Sequence, residues 1–416
     1  MWIKLLIYNV FVVLSVGEKV SYDNFGLYKV VPEAKEHLDF LNDLVNSCDG
    51  LEFWNIPARI GGLVNVIASP EQKQNLEHSL KKRSIHSELM LENIQEAFDA
   101  QLLSRRKRDT SRQLFWTNYQ TLEEIYDWFD YLAENYGDIV TVVTVGQSHE
   151  GRNITGVKIS RSSSRKRAFV LQGGEVAADW LSPTILTYII DQLVRGTSDE
   201  ARAATEDFEW HIFPSVNPDG LQFTQDSDRL WVKNRRPTTS TTIGVDLTKN
   251  WNSQWSVSGG SLQPAAANYI GLGPFSEPET RAVSRYVEDI GGWFTGFLSF
   301  RSFGQKLILP FAHSSTPTSN YNEMITIGRR AMGSLAVRYG TQYTVGISRV
   351  IHDGATGNVL DWVKHRFNPP IAATYHLRDN GTWGYTLPVT QIQPSGEETF
   401  DSLLALIREA RVIDVI

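Results

Sequence analysis

The chain has 416 residues, which at roughly 150 residues per domain suggests two to three domains. Forty Lys+Arg against 47 Asp+Glu leave a net charge of -7, which disfavours a nucleic-acid or anionic-membrane partner. One cysteine, Cys48, excludes an intrachain disulfide framework, a Cys-based zinc finger and an iron–sulfur cluster, and 41% hydrophobic with 21% charged residues is a globular composition.

Met1-Trp2-Ile3-Lys4 gives one positive charge, and Leu5 to Val16 then runs almost without a polar residue. A run of that span fits the apolar region of a signal peptide and is too short to cross a bilayer. Residues 1–17 are therefore expected to be a signal peptide, cut near Ser15 or Gly17, and the protein to be secreted. The alternative is a buried N-terminal strand. Residues 18–108 form a second block. Leu27 to Val31 and Gly62 to Ala68 predict strands; Pro32 to Val45 and Pro70 to Arg83 predict helices. Leu89 to Leu103 predicts a connecting helix. These make a small α/β sandwich. The block ends in Arg105-Arg106-Lys107-Arg108, which suits an exposed connector cut by a basic-site protease; Lys81-Lys82-Arg83 is a weaker candidate. Cys48 would leave with this segment.

Residues 109–416 alternate strand and helix. Thr121-Leu122-Glu123-Glu124 has the capping-box form and opens a helix to about Asn135. Strands are predicted at Ile139–Val145, Ala168–Gln172, Trp210–Phe213, Phe297–Phe300 and Leu307–Pro310. Helices are predicted at Trp180–Val194, after Ser276 as cap with Pro278 in the first turn, at Asn320–Tyr339 and at Glu397–Val412. This pattern predicts a three-layer α/β/α domain with a mixed, largely buried sheet.

Several stretches then come together. They are Gly146-Gln147-Ser148-His149-Glu150-Gly151-Arg152, Ser215-Val216-Asn217-Pro218-Asp219-Gly220 and Asp228-Arg229-Leu230-Trp231. Next come Gly244-Val245-Asp246 with Asn250-Trp251, and Phe275-Ser276-Glu277-Pro278-Glu279-Thr280-Arg281. Last are Leu298-Ser299-Phe300 before Ser302-Phe303-Gly304-Gln305, and Leu377-Arg378-Asp379 before Gly384-Tyr385. In these stretches, and in its signal, activation segment and basic connector, the chain resembles the zinc metallocarboxypeptidases of the pancreatic carboxypeptidase A/B type. The resemblance implies a zinc held by a His-x-x-Glu pair and a distant His. It further implies a Glu base acting on the zinc-bound water, and arginines, an Asn and a Tyr that bind oxyanion and substrate carboxylate.

At the matching positions this chain carries other residues. Trp180 sets the register of the first motif, so the zinc-ligand positions are Val176 and Asp179, and the substrate-binding Arg is Ala178. The third ligand position is Arg301 and the general-base position is His376. The oxyanion Arg is Val232, the carboxylate-clamp pair is Thr248-Lys249, and the mobile Tyr falls on His352 or, with a one-residue gap, Asp353. Valine offers a metal no lone pair. None of the nine histidines is followed three residues on by Glu or four on by His. His376 precedes Asp379 at the right spacing, but in a strand i and i+3 face opposite ways. At about 4 Å and an effective dielectric near 20, an arginine repels a divalent cation by roughly 8 kcal/mol.

The reading that follows is a catalytically inactive homologue without zinc or other cofactor, acting by binding an unknown peptide or protein, with no nucleic acid or membrane. One alternative is an active zinc carboxypeptidase with displaced ligands. Another is a different enzyme using His376 with Asp179 or Glu175. Arg301 is expected to form a salt bridge with Asp179 or, failing that, Glu175, with His376 in the same pocket. Asp246 is expected to pair with a basic neighbour, and Leu360, near the family's specificity position, to be a core residue. Asn153-Ile154-Thr155 and Asn380-Gly381-Thr382 fit the glycosylation pattern.

Overall fold

The computed structural model describes residues 19–416 except 48, 104–115, 165 and 197. The signal-peptide reading of residues 1–17, Cys48 and the basic connector at Arg105–Arg108 thus lie outside the described residues.

The N-terminal block contains β1 (Gly26–Val31), α1 (Lys35–Ser47), β2 (Leu51–Phe53), β3 (Val64–Ala68), α2 (Lys73–Lys82), β4 (His86–Leu91) and α3 (Ile94–Leu103). Its four strands form one sheet in the order β2-β3-β1-β4. Side chains alternate along a strand, and the two faces do different jobs. Tyr28, Val30, Val64, Val66 and Ala68 pack with Leu41, Leu76 and Leu80 of α1 and α2. Leu27 and Ile67, facing the other way, join Tyr22, Ile94 and Phe98 against Leu230 of the large domain. The expected connecting helix over Leu89–Leu103 is corrected: its first part continues β4, which pairs antiparallel with β1 at Leu27↔Leu91. An edge strand with exposed polar positions carries little apolar alternation, so that pairing left no mark in the sequence.

The second block contains α4 (Leu122–Tyr136), β5 (Val140–Gln147), β6 (Asn153–Ile159), β7 (Ala168–Gln172), α5 (Leu181–Arg195), α6 (Asp199–Asp207), β8 (Glu209–Phe213) and α7 (Pro218–Asp226). It continues with α8 (Pro278–Ile290), β9 (Phe294–Arg301), β10 (Lys306–Leu309), α9 (Tyr321–Tyr339), β11 (Thr344–Ile347), α10 (Ser348–Ile351), α11 (Val359–Phe367), β12 (Ile371–His376) and α12 (Ile392–Val412). Its eight strands run β11-β10-β12-β9-β7-β8-β6-β5. The four central strands, β12, β9, β7 and β8, are parallel to one another. Both faces are covered. Phe169 and Leu171 of β7 pack with α4, α5, α9 and α12 residues, while Ala168 and Val170 join Val283, Val287, Trp362 and Val363 of α8 and α11. This double burial explains why β7 reads as an unbroken apolar run.

The capping box of α4 is complete: Glu124 N–H donates to Thr121 Oγ1 at 3.0 Å and Thr121 N–H to the Glu124 carboxylate at 2.7 Å. Ser276 does not cap α8. The N-cap is Glu277, whose carboxylate is drawn away by Arg236 at 2.7 Å and by Ser276 Oγ at 2.7 Å. Asn153 opens β6 and Asn380 lies beside the N-terminal domain; both are exposed. Leu360 is buried with Ile308 and Ala372. Among the described residues no helix is long and apolar enough to cross a membrane.

Candidate functional site

Parallel strands end together, so the residues that follow them converge at one edge of the sheet. Here β7 leads to Gly173-Gly174-Glu175, β9 ends at Arg301 and β12 ends at His376. Antiparallel β10 starts at the same edge with Lys306, paired with His376. Gly174 turns the chain at φ +67; a Cβ there would sit 2.8 Å from Ser215 Cα. Only glycine takes that turn without strain, and it delivers Glu175 under the end of β9.

The cleft has a well-satisfied frame. Asp379 accepts backbone N–H bonds from Gly381, Thr382, Trp383 and Gly384 at 3.2, 2.7, 2.9 and 2.9 Å. Arg229 is buried; it donates to Ala178 O at 2.8 Å and Tyr385 O at 2.8 Å, and its guanidinium lies 3.7 Å from the Trp180 ring centroid. Asn217 Nδ2 donates to Glu175 O and Lys233 O, each at 3.1 Å.

Within that frame stand the positions singled out from the sequence. The expected Arg301–Asp179 salt bridge is corrected: Arg301 Nη2 donates to Glu175 Oε2 at 2.7 Å. Asp179 is occupied elsewhere. Its Oδ1 accepts from Ser302 Oγ at 2.6 Å and Ser182 N at 3.0 Å, and its Oδ2 accepts from Ser302 N at 2.6 Å. The serine next to Arg301 thus takes the shorter acid, and the longer acid reaches the guanidinium. Trp251 Nε1 completes Glu175 with a bond to Oε1 at 2.9 Å. Burial pushes the Glu175 carboxyl above its ordinary range against the pull of Arg301, and burial likewise raises Asp179. Arg301 is held protonated: Glu175 raises its pKa although burial works the other way.

His376 lines the same edge. Its Nδ1 lies 3.2 Å from Phe303 O, and its ring meets His352 edge to face at 4.4 Å between centroids. Burial pushes His352 down to about 4, opposed by Asp353 and helped by Lys306, Arg301 and Lys249. Burial, with His352, Arg301 and Lys306 adding to it, puts His376 well below its ordinary value. Both rings are therefore neutral near pH 7. Asp353 Oδ1 lies 3.5 Å from His352 Nε2. Lys249 Nζ is engaged by Asp246 at 2.5 Å, and Thr248 Oγ1 by the same carboxylate at 2.6 Å. The basic partner expected for Asp246 is thus Lys249. Ala178 is buried beside Arg229, and the Val232 backbone carbonyl accepts from Ala177 N at 3.1 Å.

The N-terminal domain covers this edge. Trp54 packs edge to face on Phe303 and Tyr385, with centroids 5.9 and 5.5 Å away. Asn65 Nδ2 donates to Gly381 O at 2.9 Å, Gln101 Nε2 to Leu387 O at 3.1 Å, and Arg59 Nη1 to Val350 O at 3.2 Å. Tyr22 Oη donates to Asp228 at 2.7 Å. Sequence reasoning missed Lys306, Ser302 and Arg59. Ser302 could have been found as the hydroxyl beside Arg301; Lys306 and Arg59 need the strand register and the domain contact. Among the described residues, no group of three or more His, Cys, Asp or Glu is placed to hold a metal ion.

A zinc carboxypeptidase family model matches residues 125–402, and a carboxypeptidase activation peptide model matches residues 28–101. A zinc carboxypeptidase A 1 of Anopheles gambiae is 35% identical over 403 residues, 96% of this chain and 93% of its own. A zinc carboxypeptidase of Simulium vittatum is 39% identical over 296 residues, 70% of this chain and 97% of its own. Among solved structures, carboxypeptidase A from Helicoverpa armigera matches with a TM-score of 0.84 at 25% identity, over 94% of this chain and 98% of that one. Thrombin-activatable fibrinolysis inhibitor matches with a TM-score of 0.86 at 24% identity, over 94% and 100%. Another structure of that protein, from cattle, holds a tick carboxypeptidase inhibitor; it covers 73% of this chain and all of that one, with a TM-score of 0.66 at 26% identity.

Proposed function

The chain belongs to the zinc carboxypeptidase family, and within it we propose a secreted, catalytically inactive member that binds a peptide or protein instead of hydrolysing one. The observation that carries this reading is the Arg301–Glu175 pair at 2.7 Å, at the position where the family's third ligand stands. A zinc ion needs three protein ligands with free lone pairs and an open place for water. Val176 offers none, a guanidinium offers none, and both oxygens of Asp179 already accept hydrogen bonds from Ser302 and Ser182. The donor set does not fit the ion. Nor does His376 fit the family's carboxylate base: its Nδ1 faces the Phe303 carbonyl and its neighbours are Arg301, Lys306 and His352. With no carboxylate there and with Val232 lacking a guanidinium, neither water activation nor oxyanion stabilisation has a group to perform it.

On this reading residues 1–17 are a signal peptide and 18–108 an activation-type segment that caps the cleft of the 109–416 domain. The tick inhibitor complex is a protein bound by a relative and supports a protein or peptide as the class of partner. A second reading, an active zinc carboxypeptidase, is favoured by the identity to named zinc carboxypeptidases across nearly the whole chain. The two part in one assay. The chain is cleaved at Arg105–Arg108 and incubated with excess zinc and N-acylated dipeptides ending in aliphatic, aromatic, basic or acidic residues. No release of any C-terminal residue, while an active relative turns over, is the expected outcome. Zinc-dependent release that survives repurification supports the second reading.

A further inference from the structure

Three side chains stand in a row across the end of the large sheet. Lys306 is paired with His376 between β10 and β12, and His376 with Arg301 between β12 and β9. Residues paired in register share a face of the sheet and lie about 5 Å apart. That all three point the same way is visible in the packing below them. Ile308 and Ala372, two and four residues from Lys306 and His376, meet Leu360 of α11, and Phe297, four before Arg301, meets Trp362 and Val363 of α11. His352 adds a fourth group, edge to face on His376 at 4.4 Å. Arg59 of the N-terminal domain adds a fifth from above, near enough to act on the charge of Lys306.

Both imidazoles are neutral, so the charges of the row are those of Lys306 and Arg301, one on either side of His376, and a charge held in a partly buried site needs a counter-charge or hydrogen-bond acceptors. The charged groups facing the row are Glu175, Asp246, Asp353, Lys249 and Arg59. Glu175 takes one nitrogen of Arg301, and Asp246 is occupied by Lys249 and Thr248. Asp353 lies 3.5 Å from His352. Among the described residues, neither Lys306 nor Arg59 has a carboxylate within 4.0 Å. Arg301 Nε is buried and has no hydrogen-bond partner. The row therefore holds more donors than acceptors, and its spare capacity is cationic.

We infer that this row binds a small oxyanion, with Arg301 Nε and Lys306 Nζ as donors on either side of the neutral His376 ring, whose one N–H is given to the Phe303 carbonyl. An oxyanion fits because it presents several acceptor oxygens and one or two negative charges to donors that lie side by side. A divalent cation or a neutral amide would leave Lys306 and Arg301 Nε uncompensated. The inference rests on the reading that zinc does not occupy this edge, and the ligand position is distinct from the family's carboxylate clamp, whose place is taken by Thr248 and Lys249.

The test uses the full chain, chelator-treated and dialysed, with zinc content measured on untreated and treated samples alike. Calorimetric titrations are run with inorganic phosphate, with an N-acetyl dipeptide bearing a free C-terminal carboxylate, and with the amide of that dipeptide. Saturable 1:1 binding of phosphate or of the acid dipeptide is expected, with none of the amide. Lys306→Met is expected to weaken that binding at least tenfold, and Lys158→Met, on β6 far from the cleft, to leave it unchanged. Binding of phosphate alone identifies an inorganic oxyanion; binding of the acid dipeptide identifies a peptide terminus. No saturable binding of either, equal binding of the amide, or unchanged binding by Lys306→Met overturns the inference. Because Lys306 is half-buried and makes no ion pair, its replacement leaves the fold intact where an Arg301 variant would not. One equivalent of zinc in the untreated protein overturns the inactive reading separately, since the titrations are made on metal-free protein.

Discussion

Two polar networks lie within a few residues of each other, and they differ in kind. Around Asp379 and Arg229 donor and acceptor counts match: four backbone N–H groups meet one carboxylate, and the guanidinium is spread over carbonyls and an indole face. Around Arg301 and His376 they do not. One acid serves the arginine, Arg301 Nε is unpartnered, and Lys306 has no ion pair. The first network needs nothing from outside the chain. The second lies at the same edge of the sheet and sets a guanidinium with its own counter-ion beside a lysine that has none. The lesson is that one side of a cleft can be closed by hydrogen bonds within the chain while the other is left with donors to spare.

That contrast can be broken in several ways. Arg301→Ala leaves Glu175 buried with only Trp251 Nε1, and removing one member of a buried pair typically costs about 3–5 kcal/mol. Chemical denaturation should show a loss of that size, and an unchanged midpoint would mean the pair is not formed. In the frame, Asp379→Asn retains one acceptor and turns an amide NH2 against N–H donors, so a loss of about 2–4 kcal/mol is expected. A smaller loss than for a surface substitution would dissolve the contrast.

Glu279 sharpens it through pH. Burial pushes its carboxyl up to about 7 while the His149 N–H and Asn234 pull it down. A folded pKa above the unfolded one stabilises below the unfolded value, and that contribution is lost as pH rises through the folded value. Relative to Glu279→Gln, the wild type should lose up to about 3 kcal/mol between roughly pH 4.5 and 7 and then stay level. A difference that does not vary with pH would contradict the buried placement of this carboxyl. The smallest expected effect is none: His376→Glu should create no peptidase activity, because a base without a metal-bound water has nothing to activate.

Much of the frame was legible in the sequence. Short apolar runs marked β1, β3, β7 and β8, the Thr121–Glu124 box marked the start of α4, and the expectation that Val176 and Asp179 stand at the ligand positions rests on the register set by Trp180. Pairing was not legible. That Arg301 pairs with Glu175 goes with the bonding of Asp179 to Ser302 and Ser182, contacts between segments far apart in the chain that no spacing encodes. The row of Lys306, His376 and Arg301 joins three strands whose order in the sheet, β10-β12-β9, is unrelated to their order in the chain. The end of β4, Leu89–Leu91, was read as the start of the following helix because its three apolar residues run on without a turn signal.

The central claim is that a guanidinium and its acid stand where the family holds a zinc ion. Zinc content decides it most directly. Full-length protein is purified without chelator, equilibrated with excess zinc, passed over a desalting column and measured by atomic absorption, with an active relative carried through the same steps. The account predicts well under a tenth of an equivalent for this chain against about one for the relative, with the melting midpoint unmoved by a strong chelator. One equivalent of zinc retained by the wild type and released by chelator, with a fall in the midpoint, would contradict it.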